Sequence, residues 1–105
     1  MIREIQKYHE LKTEAADAST PLVVDFHADW CGYCKRTRPH LERISEEKPE
    51  VRFVAFDVDE ELAAYKDFGF KTIPAILLFK DGVEVARHES GDYDKLSAWF
   101  ASHGI

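Results

Sequence analysis

One change of period constrains this chain more than any other feature. Leu22-Val23-Val24-Asp25-Phe26 is an almost unbroken apolar run with β-branched residues, the composition of a strand covered on both faces. After Trp30 the spacing switches, and Cys34, Thr37, Leu41, Ile44 and Lys48 recur every three or four residues. That spacing predicts a helix with one inward stripe, bent by the internal Pro39. The only two cysteines, Cys31 and Cys34, stand at the junction.

The rest of the chain supports an α/β domain around that junction. Residues Ile2–Ile5 suit a short edge strand, and Lys7–Ala18 has the composition of a polar helix. Val51–Val58 reads as a second buried strand, followed by a short helix over Glu60–Phe68 that Gly69 stops. Ala75–Phe79 and Val83–His88 are strands joined through Asp81-Gly82, a hairpin signal. A last helix, Tyr93–Ser102, places Leu96, Trp99 and Phe100 on one side. Strands alternating with helices predict a central mixed sheet of four to five strands with helices on both faces, in a single domain spanning 1–105.

Charge and hydropathy exclude several function classes. Twenty acidic against 14 basic residues, scattered rather than blocked, give a net charge of -6. That balance lacks the basic footprint that nucleic acid requires. The longest apolar runs are too short to span a bilayer. The opening MIREIQKYHE has no apolar core of a signal peptide. The expected location is therefore cytoplasmic, although a periplasmic chain whose leader has been removed would read the same way.

Three uses compete for the cysteine pair. A staple that closes so small a loop adds little by chain entropy. A structural metal site wants four donors, and only His27 and His40 lie close in sequence, so no metal is expected. Redox exchange fits the placement best. Unpaired N–H groups and the positive end of the dipole at a helix start stabilise a thiolate at Cys31, and Lys35 at i+4 adds charge. Cys34 at i+3 lies within disulfide reach. This geometry predicts one exposed, activated sulfur and a more sheltered one to resolve it.

The segments VVDFHADWCGYCK and TIPAILLFKDG, together with Pro39 and Gly91, resemble the thioredoxin family from about Pro21 to the C-terminus. The resemblance implies the thioredoxin fold. It implies that Cys31 attacks, that Cys34 resolves, and that Asp25 lies buried below Cys34 and relays its proton. Trp30, Gly32 and Tyr33 would form the lip around the disulfide. The Ile73–Pro74 bond would be cis and packed against Cys31, and its loop with Gly91 would offer backbone to an extended substrate. The implied activity is thiol–disulfide exchange on protein disulfides by a monomer without an organic cofactor, recycled by a flavin-dependent NADPH thioredoxin reductase.

Four departures stand out. Family members often place a lysine near the buried Asp, but Ala55 occupies that position, and Asp57 on the same strand face is expected to bring a second carboxylate. Tyr33 stands where the commonest motif has proline, which predicts a couple less reducing than ordinary thioredoxin. His27, often Trp in the family, either tunes the thiolate or is a satisfied strand-end histidine. The run Lys35, Arg36, Arg38, His40 and Arg43 reads as the solvated face of a helix, with steering of acidic partners as the alternative. The rival functions are a periplasmic oxidase, isomerase or reductase component, and a redox-independent protein-binding module.

Overall fold

The computed structural model describes residues 1–105. Five strands form one sheet: β1 (Arg3–Ile5), β2 (Leu22–His27), β3 (Arg52–Asp57), β4 (Ala75–Lys80) and β5 (Val83–His88). Their order is β1-β3-β2-β4-β5, with β1, β3 and β2 parallel, β4 antiparallel to β2, and β5 antiparallel to β4. Helices α1 (Tyr8–Ala16), α2 (Gly32–Glu47), α3 (Ala63–Phe68) and α4 (Tyr93–Ser102) cover its two faces. This is the expected mixed α/β architecture, with the cysteine-bearing junction following the central strand.

Alternation along β2 divides the interior into two layers. Val24 and Phe26 join Leu11 and Ala15 of α1 and Ala64 of α3, in a layer rich in tilted aromatic pairs such as Phe26–Phe70, whose ring centroids are 4.5 Å apart. Val23 instead packs with Leu41 and Ile44 of α2, Leu96 and Phe100 of α4, and Ala55 of β3. Asp25 shares this second side of the strand by period two. The inward side of α2 is Cys34, Thr37, Leu41, Ile44 and Ser45. Lys48, expected on that stripe, lies beyond the helix because the backbone leaves helical geometry there, and its Nζ donates to the Ile105 carbonyl at 3.1 Å.

Two helix boundaries also move. α1 stops at Ala16 because Asp17 adopts extended backbone. The helix expected from Glu60 starts only at Ala63, since Val58–Glu60 forms a 3₁₀ turn whose Asp59 N–H is held by the Asp57 carboxylate at 2.9 Å. At the hairpin, Asp81 and Gly82 both take positive φ (55° and 77°), the conformation of a two-residue type I′ turn. A Cβ on Gly82 would stand 3.0 Å from the Ala16 carbonyl oxygen, so the turn is packed against the end of α1. Arg52 closes the other side of that region, donating to Glu14, Asp17 and Thr20 at 2.5–3.2 Å.

Candidate active site

β2 delivers Asp25 and His27 to the end of the sheet, and the turn that follows sets Cys31 as N-cap of α2. Cysteine in this position accepts the Cys34 N–H on its sulfur at 3.2 Å, doing what a capping hydroxyl or carboxylate does elsewhere. The two cysteines are joined in a disulfide with Cα atoms 5.3 Å apart. The expected contrast in exposure is absent in this oxidised form: both residues are 5% exposed.

The flanking aromatics are both exposed. Trp30 donates its indole N–H to Asp59 at 3.0 Å, and the Arg36 guanidinium lies 4.5 Å from the centroid of the Tyr33 ring. Gly32 is the first residue of α2, with only the Arg36 side chain near the position a Cβ would take. The Ile73–Pro74 peptide is cis, and Ile73 packs against the cluster that contains both cysteines. Tyr33 and Gly91 line one depression of about 240 Å³ with Arg36 and His40. Pro74 lines a different one of about 420 Å³, with Thr72, Arg87 and His88 on its walls and neither cysteine among them. Gly91 fits closely against α4, where a Cβ would approach Lys95 Cβ to 3.2 Å.

Asp25 is 2% exposed and opposes Ala55 of β3 and Ile76 of β4 in the sheet. Burial pushes its carboxyl above the usual carboxylate range, against the pull of Arg38 and His27. The cation missing from Ala55 is supplied from α2: Arg38 Nε donates to Asp25 Oδ2 at 3.0 Å. The solvated-face reading of the basic run therefore fails for Arg38. Lys35, Arg36 and Arg43 are exposed as that reading expects, with Arg36 over the Tyr33 ring and the Arg43 guanidinium 3.8 Å from the Tyr93 ring centroid. The second carboxylate near Asp25 is Glu4 of β1 rather than Asp57, which is turned to cap the 3₁₀ turn. Glu4 Oε1 lies 3.9 Å from Arg38, and its Oε2 meets His27 Nε2 at 2.9 Å. Burial lowers the His27 pKa, but the hydrogen bond and charge of Glu4, with Asp25, bring it above the ordinary value. His27 is thus a partnered strand-end residue.

Arg38 and Glu4 are the residues that sequence reasoning missed. One signal for Arg38 was available: it stands four residues after Cys34, on the same side of the helix. No group of three or more His, Cys, Asp or Glu side chains is arranged to hold a metal ion.

A disulfide capping a helix behind the central strand, with a cis-proline segment packed on the same cluster, defines a thiol–disulfide oxidoreductase. Comparison with known proteins gives the family. The Thioredoxin family profile matches residues 4–102. A thioredoxin of Chlamydia muridarum is 40% identical over 87 residues, covering 82% of this chain and 85% of that protein. Mitochondrial Thioredoxin-2 of Schizosaccharomyces pombe is 33% identical over 103 residues, covering 97% of this chain and 76% of its own. Among solved structures, oxidised mitochondrial thioredoxin 3 of Saccharomyces cerevisiae superposes with a TM-score of 0.83 at 31% identity, covering 96% of this chain and 94% of that one. The chain belongs to the thioredoxin family, and its activity is protein-disulfide reduction and exchange through a dithiol. No helix is long and apolar enough to cross a membrane.

Proposed function

We propose that this single domain, 1–105, reduces protein disulfides with Cys31 as nucleophile, Cys34 as resolving thiol and Asp25 as proton acceptor. The Cys31 thiolate attacks one sulfur of the substrate disulfide, and the other sulfur leaves as a thiolate that takes up a proton. Cys34 gives its proton to the Asp25 carboxylate and attacks Cys31. The Cys31–Cys34 bond forms, the mixed disulfide breaks, and the second substrate thiolate departs. Two electrons pass from the enzyme dithiol to the substrate. Trp30, Gly32, Tyr33, Ile73, Pro74 and Gly91 form the surface that an extended substrate segment lies on. The working form is a cytoplasmic monomer, recycled by a flavin-dependent NADPH thioredoxin reductase.

The observation that supports this reading most is the position of Cys31 as N-cap of a 16-residue helix. There the unpaired first-turn N–H groups stabilise a thiolate released on reduction. The test is insulin reduction driven by dithiothreitol. Cys31→Ser abolishes turnover, whereas Cys34→Ser accumulates a mixed disulfide visible by mass. Wild-type insulin reduction no faster than with dithiothreitol alone, with partner binding retained, would instead favour a redox-independent binding module.

A further inference from the structure

Asp25 combines two features that need a joint explanation. One oxygen, Oδ2, is fixed by Arg38 Nε at 3.0 Å, while the other, Oδ1, is buried without any hydrogen-bond partner. A buried acceptor left open is rare and calls for a reason. Arg38 reaches Asp25 from the turn of α2 that follows Cys34, and Arg38 and Cys34 share the walls of an opening of about 300 Å³ with His27 and Lys35. We propose that Arg38 is a positioning residue for thiol resolution, pinning Asp25 through Oδ2 so that Oδ1 stays free and ionised to receive the Cys34 proton. The proposal rests on the reading of Asp25 as proton acceptor. In it, a cation on the helix takes the place that Ala55 leaves empty in the sheet.

The electrostatics of the surroundings agree with the geometry. β3 and β4 set apolar Ala55 and Ile76 beside Asp25, so neither strand neighbour offers a counter-charge. β1 contributes Glu4, which opposes ionisation, and β2 contributes His27, which favours it. Besides Arg38, α2 brings Cys34 and Lys35, and Asp29 stands on the rim of the opening. Arg38 is the nearest of these charges and the only one bonded to the carboxylate. Without it, only His27 opposes the effect of burial, and Asp25 holds its proton to higher pH. With a side chain 31% exposed, Arg38 can be replaced without opening the core.

The test separates the two chemical steps. Reduced protein is mixed rapidly with a symmetrical aromatic disulfide whose thiolate absorbs visible light. Attack by Cys31 releases one equivalent of thiolate, and resolution by Cys34 releases the second. Arg38→Gln slows the second phase at pH 7 and moves its pH midpoint upward, because a carboxyl that has lost its bonded cation keeps its proton to higher pH. The first phase keeps its rate, which also verifies that the site is folded. Arg38→Lys, retaining the cation, recovers most of the loss. In an Asp25→Asn background Arg38→Gln has no further effect, as expected of a residue acting through Asp25. An unchanged second phase in Arg38→Gln overturns the proposal, as does failure of Arg38→Lys to recover it or full additivity with Asp25→Asn. Failure of the wild type to release a second equivalent would instead overturn the dithiol mechanism itself.

Discussion

Replacing Asp25 by leucine should stabilise this protein while impairing its chemistry. A carboxyl with one oxygen unpaired inside the sheet costs about 1–3 kcal/mol for that oxygen, and ionisation adds to it. Arg38 offsets part of the cost in the wild type, yet it is not stranded by the substitution, since Glu4 lies 3.9 Å away and solvent is within reach. Leucine gains contact with Val23-side neighbours of the α2–α4 layer, so a net gain of about 2 kcal/mol at pH 7 is expected, within the range seen when buried ion pairs are replaced by apolar side chains. For a chain of this size that corresponds to roughly 10 °C in melting temperature. The pH dependence carries the reasoning. Because burial raises the Asp25 pKa in the folded state, the neutral carboxyl's stability is fully present below about 3.8 and is lost as pH rises through the raised value. Urea melts of oxidised wild type and Asp25→Leu, from about pH 3.5 to 8, should therefore show an advantage for the variant that widens as pH rises. A constant difference across that span, or a loss of stability at pH 7, would refute the buried-acid account.

Further outcomes follow from other sites. Arg52→Met should cost about 2 kcal/mol in urea melts, since it strands acceptors on Glu14, Asp17 and Thr20 together; Arg52→Lys should recover little, lacking the planar fork. Gly82→Ala should destabilise by about 1–2 kcal/mol, because it adds a Cβ at φ 77° facing the Ala16 carbonyl, and thermal melts measure it. His27 has a raised pKa, so its contribution is full below about 6.5 and fades as pH climbs past the folded value; His27→Gln should flatten that part of the stability–pH curve. Equilibration with glutathione of known poise should place the Cys31–Cys34 couple above ordinary thioredoxin, with Tyr33→Pro lowering it.

What the sequence discloses here depends on range. The strand-to-helix switch at Trp30, the hairpin at Asp81-Gly82 and the cysteine placement are local patterns, set by period and turn chemistry, and they appear in the structure. The identity of Asp25's cation is not local. Family likeness points to a position on β3, and Ala55 there is apolar, so the sheet offers nothing to read. Arg38 lies in a run of basic residues whose members look alike in one dimension. Only the bend and register of α2 decide that Arg38 turns inward while Arg36 covers Tyr33. Glu4 was harder still, because β1 pairs with β3 and reaches the site across an intervening strand.

β1 holds three residues and hydrogen-bonds to a neighbour on one side only. Short border segments of this kind are the first to detach in native-state fluctuations. Each such fraying event carries Glu4 away, releasing His27 and leaving Arg38 with a single anion to serve. The readiness of the resolving thiol would then track the breathing of a segment two strands away, and amide exchange at Ile5 would keep time with it.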